Sequence, residues 1–282
     1  MLPSCYLCGK PTTRLAVANA QYAYLSCSSC GFRMLHPVPA PADEDGLYND
    51  AYYFDQGLEV GLDDQTNLMR GLIQGRVQKL TALNGGPGSL LDVGAGTGLF
   101  VEASVRAGWR AIGVETSPAA VRIARTITRA SVIQGRVEEL SFEESFDAVT
   151  LWDVLEHLPD PRAMLIRIRD LLRNRGIVCI SLPNVAGIKA RVLGNKWRYF
   201  RREFGHVSHF SPTTLATLLG QGGFVPEQVW TSGSFNLGKP FGLDAIDIRE
   251  RHRTLAILQN FADDTAGHLN LGENLVAYAR SN

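Results

Sequence analysis

Two short, mostly apolar runs, Leu90–Val93 and Ala111–Val114, flank an amphipathic segment, Leu99–Ala107. Short apolar runs bounded by glycine read as buried strands, and the spacing between them reads as a helix. The same alternation continues down the chain. Strands are predicted over Ser131–Gln134, Phe146–Trp152, Gly176–Leu182, Phe224–Trp230 and Asn274–Ala279. Helices are predicted from Ser117-Pro118 to about Arg129, over Arg162–Arg173 and over Thr213–Gln221. Ser117 supplies a cap and Pro118 a first-turn proline. Upstream, Leu68, Leu72, Ile73, Val77, Leu80 and Leu83 have helical spacing across 64–84, and Gly85-Gly86-Pro87-Gly88 stops that helix. A further helix is expected at about Ala245–Phe261. This order predicts an α/β protein with a mostly parallel, doubly wound sheet.

The turn between the first two runs reads Asp92-Val93-Gly94-Ala95-Gly96-Thr97-Gly98, and the second run ends on Glu115-Thr116. Glycines allow a tight turn and close approach of a ligand, and the helix start that follows favours an anionic group. Glu115, 21 residues past Gly94, is placed to accept hydrogen bonds from ribose hydroxyls. A dinucleotide fingerprint needs a small residue at position 99, where this chain has Leu99.

Asp-Val-Gly-Ala-Gly-Thr-Gly with that acid resembles the first motif of class I S-adenosylmethionine (SAM) methyltransferases. Asp153-x-x-Glu156-His157-Leu158 resembles the post-strand motif that closes one side of the SAM pocket, and His206-x-x-His209-Phe210-Ser211-Pro212 resembles a segment near the substrate. The resemblance implies a seven-stranded sheet with the last strand inserted antiparallel beside the fifth. It implies SAM held by Gly94, Gly96, Gly98, Glu115 and Thr116, with Asp92 and Asp153 shaping the pocket. In the family an acid after Gly135 faces the adenine; Arg136 stands there, so Glu138 or a backbone N–H takes that role. His206 or His209 is the candidate general base. Two histidines three apart can instead ligate a metal, but no carboxylate or third histidine lies near them in sequence.

Cys5-x-x-Cys8 and Cys27-x-x-Cys30 are separated by 18 residues, and each pair is followed by glycine. Two such knuckles read as a zinc ribbon over residues 1–36, with a strand at Tyr22–Ser26 and four thiolates closing a structural Zn²⁺ site. Cys179 sits in an apolar run and reads as a core residue. Residues 37–62 mix prolines, acids and tyrosines and read as a linker or a lid, which leaves 63–282 as the methyltransferase domain, with substrate insertions at about 185–210 and 233–270.

The chain has 282 residues, 28 basic and 28 acidic, so overall charge argues for neither nucleic acid nor membrane. The sequence has no membrane-span-length apolar run and no signal-peptide order at its start, which predicts a cytoplasmic protein. Within 188–202, Lys189, Arg191, Lys196, Arg198, Arg201 and Arg202 alternate with Trp197, Tyr199 and Phe200 without an acid. That cluster reads either as a solvated basic loop with rings tucked in or as a surface for an anionic, ring-containing substrate. The expected function is SAM-dependent methylation of a hydroxyl or activated carbon of a small molecule, a sugar or nucleotide-linked sugar. The alternatives are an NAD(P)-dependent oxidoreductase and a zinc-ribbon binding protein with a decayed methyltransferase domain. A nucleic-acid methyltransferase is disfavoured by Asp153-Val154-Leu155-Glu156, which stands where base-directed enzymes carry a Pro-Pro-Tyr/Phe motif.

Overall fold

The computed structural model describes residues 2–17, 21–39, 64–200, 205–232 and 269–282. Residues 40–62 of the lid or linker expected over 37–62, residues 233–268 of the expected 233–270 insertion, and the helix expected at 245–261 lie outside the described residues. Two sheets make up the rest. The larger contains β4 (Ser89–Val93), β5 (Arg110–Glu115), β6 (Val132–Gln134), β7 (Phe146–Trp152), β8 (Leu172–Pro183), β10 (Phe224–Ser232) and β11 (Asn274–Ser281), in the spatial order β10-β11-β8-β7-β4-β5-β6. The pairs β7–β4, β4–β5, β5–β6 and β7–β8 are parallel, and β11 alone runs against its neighbours. The expected antiparallel last strand is therefore present, beside the fifth strand of this sheet.

The sheet is covered on both faces because its strands alternate. Ile177 and Cys179 join Leu90 and Ala148 on the face covered by α1 (Asp64–Asn84), α2 (Leu99–Arg106) and α3 (Pro118–Ile123). Val178 and Ile180 join Leu91 and Val149 on the face covered by α4 (Pro161–Leu171) and α5 (Pro212–Gln221). A period of two sends successive side chains to opposite faces. Cys179 is a fully buried core residue, as expected. On α1 the buried stripe is Ile73, Val77 and Leu80, whereas Leu72, which the periodicity placed on the same face, is exposed. Its position one residue before Ile73 rotates it about 100° off the stripe.

The helix after β5 reaches its expected end near Arg129, but its last turn is not α-helical. Ser117 caps it and accepts from the Ala120 N–H at 3.4 Å. Past Ile123 it widens into one π turn, Ala124–Thr128, and closes on Arg129 at φ 57°. Thr128 Oγ1 lies 2.7 Å from both the Ala124 and Thr97 carbonyl oxygens, a side-chain insertion of the kind that opens a helical ladder.

The smaller sheet has the order β1-β2-β3-β9, from β1 (Thr12–Val17), β2 (Ala23–Cys27), β3 (Arg33–His36) and β9 (Ser208–His209). The N-terminal module thus borrows its fourth strand from the segment carrying both candidate histidines, with Arg33 paired to His209 and Met34 to Ser208. It shares its core as well. Cys5, Leu7, Cys27 and Phe32 join the same apolar cluster as Leu215, Leu218 and Phe210. Tyr6 reinforces the seam, since its hydroxyl donates to Asp160, the cap of α4, while the Arg162 guanidinium lies 5.0 Å over its ring.

Candidate active site

The glycine turn sits at the C-terminal ends of β4 and β5. The Gly94 and Ala95 N–H groups both donate to the Val114 carbonyl, at 2.8 and 3.1 Å. Gly94 has φ 70°, and a Cβ there would stand 2.4 Å from Val154 Cγ2. Gly98, the residue before α2, has φ 78°, and a Cβ would stand 2.6 Å from that of Ala130. Both positions require glycine for conformation and for space. Gly96 differs, since nothing lies within 4 Å of where its Cβ would be. The turn is therefore wedged at both ends and open in the middle.

Glu115 locks this turn. Its two carboxylate oxygens accept from the Gly96 N–H and the Ser117 N–H, each at 2.8 Å, in an almost fully buried setting. The Thr116 hydroxyl donates to the same carboxylate at 3.4 Å, and a carboxylate has about four acceptor sites, so one remains for a further donor. Thr116 is exposed beside it. Asp92, two residues before Gly94 in β4, is 2% exposed and accepts from Thr150 Oγ1 at 2.6 Å. Burial raises its pKa to about 7, against the Thr150 bond and the charge of Arg76.

Beyond β6, Gly135 N–H donates to the Glu115 carbonyl at 2.9 Å, which ties the next loop to the acid. Arg167 of α4 holds that loop from the other side through the Val137 and Leu140 carbonyls. Glu138 is exposed on it. Asp153 follows β7 in the left-handed region, at φ 57°, and is exposed. It accepts from Ser181 Oγ at 3.3 Å. Arg76 of α1 donates to the same hydroxyl at 3.2 Å and lies 4.3 Å over the Trp152 ring. Arg76 went unrecognised in the sequence. Its signal was a cation three residues after Ile73 and four before Leu80, on the buried stripe of an amphipathic helix.

The structure brings His206 against Glu156 and His157, a pair that the sequence keeps far from it. The turn Leu155–His157 follows Asp153, and its Glu156 carbonyl accepts from the Val207 N–H at 2.8 Å. The ligand atoms of Glu156, His157 and His206 all lie within 4.8 Å of one another. A carboxylate and a third histidine, absent near the histidine pair in sequence, thus reach His206, though not His209, from the β7 loop. The His157 and His206 rings meet edge to face at 4.6 Å, and Tyr199 stacks on His206 at 5.1 Å and 13°. Glu156 is 1% exposed, and neither of its oxygens has a hydrogen-bond partner among the described residues. Burial, then the Asp153 charge, hold its pKa well above the carboxylate range. Burial lowers His157 to about 4 and pushes His206 far down, so both imidazoles are neutral at pH 7.

His209 stands apart, 1% exposed among Tyr24, Trp197 and Phe200, and burial lowers it to about 3. Two of the three rings of residues 188–202 are among them, while Tyr199 is half-buried. Trp197 and Phe200 are buried, packed against Tyr24 of β2, so they are tucked in and offer no stacking surface. Arg191, Lys196 and Arg198 remain exposed, while Arg201 and Arg202 lie outside the described residues.

In the N-terminal module, Cys5 and Cys30 Sγ are 3.7 Å apart, and Cys8 and Cys27 Sγ 3.5 Å. A tetrahedron with Zn–S of about 2.3 Å has edges of about 3.8 Å, so the four thiols fit the metal. The two knuckles repeat each other bond for bond: Gly9 donates to the Cys5 carbonyl as Gly31 does to Cys27, and Cys5 donates to Lys10 as Cys27 does to Phe32. None of the five cysteines forms a disulfide. Burial opposes ionisation of Cys27, yet N–H groups of Cys30 and Ser29 bring its thiol down to about 7.

The parallel sheet with one reversed strand, and the glycine turn facing an acid on the neighbouring strand, define a class I SAM-dependent methyltransferase fold. The chain belongs to the methyltransferase-domain family, whose model matches residues 66–229. It is similar to ubiquinone biosynthesis O-methyltransferases, with 39% identity over 146 residues to that of Xanthomonas campestris pv. campestris strain B100 (47% of this chain, 61% of the relative). With that of Xanthomonas axonopodis pv. citri strain 306 the identity is 34% over 152 residues, covering 50% and 64%. The chain thus spans less than two thirds of these relatives. The fold is shared with the Burkholderia thailandensis 1,6-didemethyltoxoflavin-N1-methyltransferase, solved with bound 1,6-didemethyltoxoflavin and S-adenosylhomocysteine, at TM-score 0.55 and 21% identity over 96% of this chain and all of that one. It is shared also with the magnesium protoporphyrin IX methyltransferase of Synechocystis PCC 6803, at TM-score 0.55 and 14% identity over 83% and 98%. No described helix is long and apolar enough to cross a membrane.

Proposed function

We propose that this protein methylates a hydroxyl of a small-molecule acceptor, with SAM as the donor. The observation that carries the reading is the glycine turn, open at Gly96 and clamped by Glu115. Gly94, Gly96 and Gly98 let the backbone approach the donor. Glu115 takes the ribose with its remaining acceptor site, Thr116 flanks it, and Glu138 serves the adenine edge. Asp92 and Asp153 shape the pocket, with Arg76 beside Asp153 as the cation for the donor's carboxylate. SAM supplies an electrophilic methyl group on a sulfonium, so the protein's task is alignment of the acceptor and removal of its proton.

Of the two candidate bases, His206 is the better placed. It adjoins Glu156 and His157, next to the turn whose Val154 touches Gly94, whereas His209 is enclosed by three aromatic rings. A neutral imidazole is the form that accepts a proton. The printed names of the curated relatives favour oxygen over carbon as the acceptor atom. Exposed Arg191, Lys196 and Arg198 favour an anionic acceptor such as a nucleotide-linked sugar. We assign Cys5, Cys8, Cys27 and Cys30 to a structural zinc in a ribbon over residues 1–36, ahead of a linker or lid over 37–62 and the methyltransferase domain over 63–282. Reduced thiols and a thiolate site suit the cytoplasm.

Calorimetric titration of the zinc-replete protein with S-adenosylhomocysteine, and in parallel with NADH, tests the assignment. Micromolar binding of the former alone supports it. Binding of NADH alone identifies an oxidoreductase, and binding of neither, with or without acceptor present, identifies a decayed site.

A further inference from the structure

Glu156 poses a problem that methyl transfer alone does not explain. A carboxyl group 1% exposed, with both oxygens unpartnered among the described residues, is costly to keep. Hydrophobic residues of similar size pack the same space without that cost. A carboxylate in such a place is stabilised when a cation sits against it.

The surroundings supply the other donors. His157 Nε2 faces Glu156 Oε1 at 4.0 Å, and a ring N–H of His157 bonds to the Gly205 backbone. A backbone group that holds one ring nitrogen of a histidine is the usual support of a metal ligand. His206 closes the set from a third direction, and all three ligand atoms lie within 4.8 Å of one another. Bond lengths of about 2.0–2.2 Å to nitrogen and oxygen ask for donor separations of about 3–3.6 Å, so small side-chain rotations complete the site. The backbone around it is held from two sides. Val207 N–H bonds to the Glu156 carbonyl, and the Leu35 N–H of the cysteine module bonds to the Val207 carbonyl.

We propose that Glu156, His157 and His206 form a second metal site, distinct from the four cysteines, that binds a divalent first-row cation at the acceptor end of the methyl-transfer pocket. Two imidazoles and one carboxylate leave coordination positions open, as catalytic sites do and closed thiolate sites do not. The proposal deepens the methyltransferase reading and rests on it for its chemical role. A cation there takes the acceptor oxygen and lowers its pKa. The hydroxyl gives its proton to water, the oxygen forms its bond to the methyl carbon, and the carbon–sulfur bond breaks to leave S-adenosylhomocysteine. His206 then acts as a ligand to the cation. The charged neighbours are Asp153 beside Glu156 and Arg198 beside His206, one of each sign, so the carboxylate of the triad decides the preference for a cation.

The test is a titration of the full-length, zinc-replete protein with Mn²⁺, which disfavours thiolates, read by electron paramagnetic resonance. One bound Mn²⁺ per chain is expected, together with a loss of more than tenfold in affinity in both Glu156→Gln and His157→Ala. Co²⁺ bound to the wild-type, zinc-replete protein should show ligand-field bands without thiolate charge transfer, a readout that stands even if a variant fails to fold. Absence of any bound Mn²⁺ or Co²⁺ beyond the cysteine-held zinc overturns the proposal, as does unchanged Mn²⁺ affinity in both folded variants. S-adenosylhomocysteine affinity, measured alongside, separates the two claims. If the metal binds and the nucleoside does not, the donor assignment fails while the metal site stands.

Discussion

Replacing Glu115 with alanine should damage the protein twice, and the two losses are separable. Without ligand, the carboxylate accepts from the Gly96 and Ser117 N–H groups at 2.8 Å each. Hydrogen bonds to a charged group contribute about 1.5–3 kcal/mol apiece, which sets a gross loss of about 3–6 kcal/mol. The space above Gly96 is open, so water can solvate its freed N–H, whereas Ser117 is buried and its N–H stays unsatisfied. The net loss should therefore be about 2–4 kcal/mol. For a chain of this size that corresponds to a fall of about 5–15 °C in melting temperature. Nucleoside binding should weaken by a further 1–3 kcal/mol through the lost ribose bonds, about 5- to 150-fold. Differential scanning calorimetry of the ligand-free variant reads the first loss, and titration with S-adenosylhomocysteine below the transition reads the second. Glu115→Gln should fall between, because its amide group cannot accept from both N–H groups at once. An unchanged ligand-free melting temperature would refute the clamp, and unchanged affinity would refute the ribose assignment.

Gly98→Ala adds a Cβ at φ 78° and 2.6 Å from the Cβ of Ala130; strain of about 1–2 kcal/mol and overpacking of about 1–3 kcal/mol should lower the urea midpoint with the slope unchanged. Removing zinc, or replacing Cys27 with serine, should reach beyond the N-terminal module, because β9 pairs with β3 and Tyr24 Oη donates to the His206 carbonyl at 3.4 Å. Hydrogen exchange at Val207 and Ser208 should rise in the zinc-free protein, and a change confined to residues 1–36 would show the module to be independent. Asp92 has its pKa raised by burial to about 7, against about 3.9 in the unfolded chain, so the native state holds this proton more tightly. Its contribution is fully present below pH 4, declines as pH rises and is gone above about 7. Asp92→Asn should accordingly gain on the wild type between pH 4 and 7, by at most about 1.4 kcal/mol per unit, in urea titrations at several pH values.

What the sequence determined by itself is local. Leu90–Val93 and Ala111–Val114 read as strands because short apolar runs between glycines have few other solutions, and the antiparallel last strand followed from the motifs around them. The glycine turn was legible because its backbone demands glycine at Gly94 and Gly98 whatever the ligand. The cysteine pairs were legible because metal knuckles are built within four residues of chain. Leu72 was misplaced because a residue one position off a helical stripe keeps its hydrophobicity and loses its contact. Tertiary structure decided the rest. Glu156 and His206 are 50 residues apart in the chain, and no periodicity marks two loops that will meet. The two-residue β9 carries no strand pattern, yet it joins the cysteine module to the candidate site. Whether Trp197 and Phe200 face a ligand or the core was undecided by their alternation with arginines, and was settled by Tyr24 packing against Phe200 from a strand far away in sequence. Sequence fixes which groups want burial and which turns are possible, while only the assembled layers determine which polar groups are left facing one another in the dry space between them.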